Sequence, residues 1–195
     1  MARTKSISDA DLLKAARQVF VEKGFAASTR EIARQAGISE GVLFQRFHTK
    51  DDLFFAAMLP PPVDLSGIFS ASDQDGLTRL HTITAALTQY FRETLPVLIP
   101  LMSHRSFKFE EFAQRHPDSP MVTLRRDIVL WVIAEQRAGR IGNVDPGATA
   151  LAIWSVAHTI TFFERMGAHG GKFEDRILRA TVECLWKGMS PQGGG

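Results

Sequence analysis

Apolar residues recur every three or four positions along most of the chain, which is the spacing of one face of an α-helix. Near the N-terminus such a stripe predicts a first helix that ends at Gly24. Its members are Leu12, Ala16, Val19 and Phe20. The apolar run 128–134 is the one ambiguous segment, and its long periodic flanks favour a helix. Since no run demands a β-strand, we predict an all-α fold.

Residues 28–50 predict two short helices joined by a tight turn. Thr29 is the predicted N-cap of the first helix, because its hydroxyl can accept from the free amides of the next turn. Gly37 lies where the chain must turn sharply, and Ser39 is the predicted cap of the second helix. This helix-turn-helix presents the second helix as a probe of the size of a DNA major groove.

Positive charge is concentrated at the same end of the chain. Residues 1–50 have a net charge of +4, whereas residues 51–195 have a net charge of −2. A basic surface is what binding to the DNA phosphate backbone requires. The charge distribution therefore agrees with a DNA interface in the N-terminal part.

The remainder of the chain predicts a longer series of helices. The triplet at residues 60–62 is proline throughout and predicts a junction, and Pro96 is expected to end one helix or begin the next. Asp145 and Pro146 predict the cap and first residue of a helix that runs to about Met166. Cys184 lies on an apolar stripe of the last helix, so we predict a packed core thiol.

The segment from about residue 8 to residue 59 resembles the N-terminal DNA-binding domain of TetR-type (TetR/AcrR family) transcriptional repressors. The residues that carry the resemblance, in order and at the spacing of the family, are Phe20, Gly24, Phe25, Thr29, Ile32, Ala33, Gly37, Ile38, Ser39, Gly41, Leu43, Phe44, Phe47, Lys50 and Leu53. The chain departs from the family at Phe44, where a tyrosine hydroxyl commonly binds a DNA phosphate. Arg46 beside it could compensate.

The resemblance implies a role for each matching residue. Thr29 and Lys50 are expected to hold phosphates, and Gln45 lies where the family reads base edges, as do Glu40 and Gly41. Glu40 has a second interpretation, as a first-turn acid favoured by the helix dipole. The complete set of DNA-binding candidates is Thr29, Arg30, Ser39, Glu40, Gly41, Val42, Phe44, Gln45, Arg46, His48 and Lys50.

The resemblance also implies a larger C-terminal helical domain that binds a small molecule and forms a homodimer through the last two helices. Candidate pocket residues are Phe91, Met102, Phe107, Phe109, Trp131, Trp154, His158 and Phe162. Aromatic residues at helical spacing usually form core, which is the alternative for each of them, and His104 and His158 are either polar anchors or core histidines. The predicted domains are 1–52 for DNA binding, 53–190 for ligand binding and dimerisation, and a disordered tail at 191–195.

The expected function is that of a sequence-specific repressor, released from a palindromic operator on double-stranded DNA by a small-molecule effector. The alternatives are a constitutive DNA-binding protein without a ligand and a helical enzyme. The sequence contains no HExxH motif, glycine-rich phosphate loop or nucleophile elbow, so no catalytic residue, metal site or cofactor is predicted. One cysteine, no signal peptide and no long apolar run together predict a cytoplasmic protein without a membrane partner.

Overall fold

The computed structural model describes residues 7–60, 67, 74–168 and 170–191. Within these ranges the regular structure is helical and contains no strand, which confirms the predicted all-α class. Nine helices begin and end among the described residues, and a 3₁₀ turn at Gly24–Ala26 follows the first of them. The helices are α1 (Asp9–Lys23), α2 (Thr29–Ala36), α3 (Glu40–Arg46), α4 (Lys50–Ala57), α5 (Gly76–Met102), α6 (Phe109–Arg115), α7 (Pro120–Arg137), α8 (Pro146–Met166) and α9 (Asp175–Met189).

The chain divides into two compact units, and the division does not follow the order of the sequence. The first unit contains residues 1–61 together with residues 96–112, and the second contains residues 62–95 and 113–195. The last two turns of α5 and the start of α6 therefore belong with the helix-turn-helix. The predicted boundary after residue 52 stays a prediction.

In the first unit, short polar side chains define where the helices begin. The Ser39 hydroxyl accepts from the Val42 amide at the start of α3, and Thr49 and Asp52 form a capping box at the start of α4. The prediction for α2 was wrong by one residue. Ser28 is its N-cap, because Ser28 has extended backbone and its hydroxyl accepts from the Glu31 amide at 3.1 Å, while Thr29 is already helical.

The core of the first unit lies where α1 packs against α2 and α4. The phenyl ring of Phe20 meets that of Phe54 edge-to-face at 5.0 Å. The other fully buried apolar side chains include Leu12, Ala16, Ile32, Leu43 and Leu53. Gly37 has φ of 70°, so the sharp turn between α2 and α3 uses the left-handed conformation that favours glycine. The helix-turn-helix is thus built as predicted.

Pro96 neither ends nor begins a helix, contrary to the prediction. Helix α5 continues from Gly76 to Met102 and contains both Pro96 and Pro100. A proline in a helix interior removes one amide donor. Here the flanking apolar residues Leu95, Val97, Leu98 and Leu101 are all buried, and this burial favours the helical conformation on both sides of Pro96. The division between the two units falls at this same proline.

The second unit contains a buried cluster of three charged residues. Arg79 on α5 forms an ion pair with Glu135 on α7 at 3.0 Å, and the two side chains are 4% and 1% exposed. Arg140 donates two hydrogen bonds to the same carboxylate, at 2.6 and 3.0 Å. We call Arg79, Glu135 and Arg140 the buried charge cluster. It links the first turn of α5 to the end of α7.

A close contact lies beside this cluster, at the start of α5. A Cβ atom placed on Gly76 would lie 2.4 Å from the Trp186 ring and 2.7 Å from the Arg140 carbonyl oxygen. Neither atom belongs to the end of a flexible chain. Glycine is therefore required at this position by the approach of α9, and not by its own backbone torsion.

Cys184 is exposed, so the prediction of a packed core thiol was wrong. The buried positions of α9 are Val182 and Met189, seven residues apart on one face. Cys184 follows Val182 by two positions, which is about 200° around an α-helix, and so lies on the opposite face.

Some predictions concern residues that the structure does not describe. Pro61 and Pro62 of the predicted junction lie outside the described residues, as do residues 192–195 of the predicted tail.

Among the described helices, none has the length and hydropathy needed to cross a membrane.

Candidate functional site

Helix α3 presents the predicted base-reading surface. Leu43 faces the core and is fully buried, whereas Gly41, Gln45 and the 37%-exposed Phe44 lie on the outside of the helix. His48, just after the helix, is exposed as well. Within the described ranges, the Gln45 side chain has no hydrogen-bond partner, so its amide is available to an external partner such as a base edge.

Glu40 and Thr29 bind each other. The Thr29 hydroxyl donates a hydrogen bond to the Glu40 carboxylate, which joins the start of α2 to the start of α3. Both residues are partly buried. In this arrangement the two side chains set the position of α3 relative to α2, and their predicted contacts with phosphate and base stay predictions.

Arg46 is also held by the protein. Its guanidinium donates to the Ile7 carbonyl oxygen at 2.8 Å and pairs with Asp9 at 3.0 Å. Arg46 therefore fastens the end of α3 to the beginning of α1. Its predicted role as a substitute for a tyrosine hydroxyl at Phe44 stays a prediction.

Lys50 is positioned by an aromatic ring. It is the first residue of α4, and its Nζ atom lies 4.4 Å from the centre of the Phe25 ring, a cation–π distance. The remaining cationic candidate, Arg30, is exposed on the first turn of α2. Two cations thus accompany the exposed face of α3, at the starts of the helices before and after it.

The structure also shows long-range contacts in the first unit that the sequence did not indicate. Arg17 donates to the carbonyl oxygens of Ala57 and Leu59, both at 2.6 Å, and so closes the end of α4. Burial lowers the pKa of Arg17 from its ordinary value. His104, from the returning segment 96–112, packs among Phe25, Phe54 and Phe55. Contacts between residues so far apart in sequence leave no local signal.

In the second unit, four of the predicted pocket residues form one aromatic cluster. The Phe91 ring lies 5.0 Å from the Trp154 ring and 5.4 Å from the imidazole of His158, and His158 stacks on Phe162 at 6.0 Å. Tyr90 joins the cluster through Phe91, at 5.4 Å. The cluster combines the side of α5 with one face of α8.

The other four pocket candidates lie elsewhere. Trp131 is buried in the second unit on α7, whereas Met102, Phe107 and Phe109 belong to the first unit. Met102 and Phe109 are 57% and 50% exposed. The assignment of all eight residues to a ligand pocket stays a prediction.

Among the uncharged side chains in the core of the second unit, the Trp131 indole nitrogen makes no hydrogen bond to the described residues, and the Tyr90 hydroxyl interacts only with the Thr94 side chain. Burial raises the pKa of Tyr90 to about 12, so its hydroxyl keeps the proton. A buried polar group without a partner costs about 1–3 kcal/mol. Both groups are therefore potential donors to a bound molecule.

Burial lowers the pKa of His158. The folded chain then binds fewer protons than the unfolded chain as the pH falls through the ordinary value of about 6.5. We expect the free energy of unfolding to decrease between about pH 7.5 and about pH 5.5, and part of this decrease to vanish in His158→Gln. Urea unfolding at several pH values measures it, with the exposed His48→Gln as control. An equal pH dependence in the wild type and His158→Gln would contradict the prediction.

The part of the chain that the structure describes holds no group of three or more His, Cys, Asp or Glu side chains arranged to bind a metal ion. What it does hold is an exposed short helix flanked by cations in one unit, and an aromatic cluster with potential hydrogen-bond donors in the other.

Comparison with known proteins gives a family match for the N-terminal part and a shared fold for the chain. Residues 12–57 match the family model described as bacterial regulatory proteins, tetR family. A TetR family regulator, PfmR from Thermus thermophilus, is 20% identical and has a TM-score of 0.63, over 92% of this chain and 98% of the other. A protein from Saccharomonospora viridis, described as a transcriptional regulator in complex with choline, is 13% identical with a TM-score of 0.70, over 94% and 97% of the chains.

A third similar structure is the flavonoid-responsive regulator FrrA, which is 21% identical with a TM-score of 0.58, over 94% of this chain and 97% of the other. At these low sequence identities, the TM-scores establish that the proteins share a fold. TetR-family regulators are generally non-enzymatic, DNA-binding transcriptional repressors with a ligand-binding domain. Residues 12–57 therefore form a domain of the tetR family of bacterial regulatory proteins, and the chain as a whole has the fold of the TetR-family transcriptional regulators.

Proposed function

We propose that this protein is a sequence-specific transcriptional repressor that binds a palindromic DNA operator as a homodimer and leaves it when a small molecule binds. The observation that carries the proposal is the exposed face of α3, within a domain that matches the tetR family. Its DNA-binding part corresponds to residues 1–52, and its ligand-binding and dimerisation part to residues 53–190. A repressor of this kind acts in the cytoplasm.

The DNA contacts follow from the geometry of the first unit. Gln45 and the backbone at Gly41 read base edges, while Lys50, Arg30 and the amides at the start of α2 hold phosphates. Thr29 and Glu40 keep α3 at the angle that allows this, because each binds the other. One short helix reads only a few base pairs, so two copies related by a dyad are needed for a specific site.

The homodimer uses the outward faces of α8 and α9. Leu151, Phe163 and Met166 on α8 are large apolar side chains that are 54%, 37% and 62% exposed. On α9 the exposed positions include Ala180 and Cys184, which are small and one helical turn apart. Small residues permit two helices to approach closely, and burial of exposed apolar side chains stabilises the pair.

The effector binds at the aromatic cluster of Phe91, Trp154, His158 and Phe162. Support comes from the Tyr90 hydroxyl, whose ring packs against Phe91 at 5.4 Å, and from the Trp131 indole, which is buried elsewhere in the same unit. Pockets of this class are mostly apolar with a few polar anchors. One protein of this fold is described in complex with choline and another as flavonoid-responsive, so choline and a flavonoid are two probes to try first.

Selection of bound duplexes from random DNA tests the proposed function. The purified chain is mixed with random duplexes, bound duplexes are recovered over several rounds, and the selection is repeated with each probe molecule. Enrichment of one palindrome, with loss of enrichment on adding an effector, supports the proposal. Recovery of random sequence throughout would contradict sequence-specific binding.

Two substitutions separate phosphate binding from base reading on the selected duplex. We expect Lys50→Ala to weaken binding to all sequences by the same factor and to reduce the magnitude of the negative slope of log K against log salt by about 0.9, for one lost phosphate contact. Gln45→Ala should instead relax the preference at one base position, by about 1–3 kcal/mol. Fluorescence anisotropy on a set of single-base variants measures both. If neither change alters sequence preference, Gln45 is not the base reader.

A further inference from the structure

The turn that follows α5 belongs to the DNA-binding unit, although it lies about fifty residues beyond the tetR-family match. Residues 96–112 fall in the first unit, and the turn within them contains Ser103, His104, Arg105 and Ser106. We propose that Arg105 extends the phosphate-binding surface beyond the helix-turn-helix, and contacts the backbone of the same duplex as Lys50. This inference rests on the DNA-binding function proposed above.

His104 holds the turn in place. Its imidazole is 92% buried and lies 4.3 Å from the Phe25 ring, 5.0 Å from Phe54 and 5.1 Å from Phe55. Its Nδ1 atom accepts from the Ser106 amide at 3.3 Å, which closes the turn around Arg105. A residue between two such anchored neighbours has a defined position.

The same aromatic ring connects this turn to Lys50. Phe25 packs against His104 on one side, and Lys50 Nζ lies over the Phe25 ring at 4.4 Å. A second tie reaches the next residue of α4, where the Ser106 hydroxyl lies 3.5 Å from a carboxylate oxygen of Asp51. The turn is therefore adjacent to the first turn of α4, which carries the expected phosphate anchor.

Arg105 is suited to a phosphate because of its charge and its surroundings. It is exposed, and no carboxylate of the described residues lies within ion-pair distance of it. Together with Gly24, Phe25, Pro100, Ser103 and His104 it lines a cleft of about 560 Å³. The nearby carboxylate of Asp51 is directed to Ser106. A guanidinium on this turn adds an unpaired positive charge to the surface beside the first turn of α4, and a DNA strand supplies the matching charge.

The test measures the salt dependence of binding to the duplex enriched in the selection above. Arg105→Gln should make the negative slope of log K against log salt smaller in magnitude by about 0.9, as one phosphate contact is lost, while Arg105→Lys should keep most of the slope. The matched control is Arg125→Gln, which removes the same charge from an exposed position of α7 in the second unit.

An unchanged slope in Arg105→Gln, on a duplex where Lys50→Ala lowers the slope, would overturn this inference and leave the DNA-binding function standing. An equal decrease in Arg105→Gln and Arg125→Gln would overturn it too, because the effect would then come from net charge. If the wild-type chain enriches no duplex, the proposed function fails, and this inference fails with it.

Discussion

Glu135→Ala is expected to lower the free energy of unfolding by about 3–5 kcal/mol, the usual cost of removing one partner from a buried ion pair. Glu135 is 1% exposed, and it accepts from Arg79 and from Arg140 in the buried charge cluster. An arginine keeps its charge at any working pH. The substitution removes from Arg79, which is 4% exposed, a carboxylate that lies 3.0 Å from its guanidinium.

Urea unfolding of the purified variant measures this loss. The control is Glu174→Ala, since Glu174 pairs with Arg176 at 3.6 Å with both side chains more than 70% exposed. An exposed pair contributes at most about 1 kcal/mol. A loss at Glu135 no larger than the loss at Glu174 would mean that water or a rearranged side chain replaces the carboxylate.

A double variant separates charge from packing. Buried ion pairs are often no more stable than apolar residues of similar volume. Arg79→Met combined with Glu135→Leu should therefore recover part of the stability that Glu135→Ala loses. The cluster would then act mainly to specify how α5 and α7 pack together.

The second large effect is expected at the proposed dimer surface. Met166→Glu combined with Leu151→Glu places two carboxylates on the outward face of α8, where both native side chains are more than half exposed. Burying these charges in a helix–helix contact is unfavourable, so the chain should become monomeric. Loss of the second reading helix should then weaken operator binding by about 10²–10⁴-fold, the factor that bivalent binding supplies.

Analytical sedimentation measures the mass of the double variant, and fluorescence anisotropy measures its affinity for the operator duplex. Leu130→Glu is the matched control, because Leu130 is 57% exposed but lies on α7, outside the last two helices. The single thiol at Cys184 provides an independent readout, since it is exposed in one chain and covered in the proposed dimer. A wild-type chain that is already monomeric, with a freely reactive Cys184, would contradict the dimer.

Local sequence signals predicted the helices well where caps and periodicity agree. Ser39, Gly37 and the pair Thr49 and Asp52 act within a few residues of their own position, so their roles follow from short-range chemistry. The error at Thr29 was also local. Ser28 and Glu31 have the spacing of a capping box. The Ser28 hydroxyl accepts from the Glu31 amide, whereas the Thr29 hydroxyl binds Glu40 instead.

Distant contacts were beyond prediction from one sequence. Glu135 lies on the buried face of α7, but nothing near it in the sequence indicates its partner Arg79, which is 56 residues earlier in the chain. The grouping of residues 96–112 with the first unit is likewise a contact between distant parts of the sequence, and no local pattern indicates it. Pro96 added a further difficulty, because a proline ordinarily ends a helix and here the surrounding burial keeps the helix intact.

The contact between Gly76 and Trp186 restricts how this chain can change over generations of mutation. Exchanging a helix glycine for alanine usually raises the free energy of unfolding by about 1 kcal/mol, and it is a common step towards more stable variants. Position 76 is closed to that step while the indole ring and the Arg140 carbonyl oxygen stay where they are. A smaller ring at position 186, which is 110 residues away, would relieve only one of these contacts, so the backbone at Arg140 would also have to shift before a methyl group could be added at position 76.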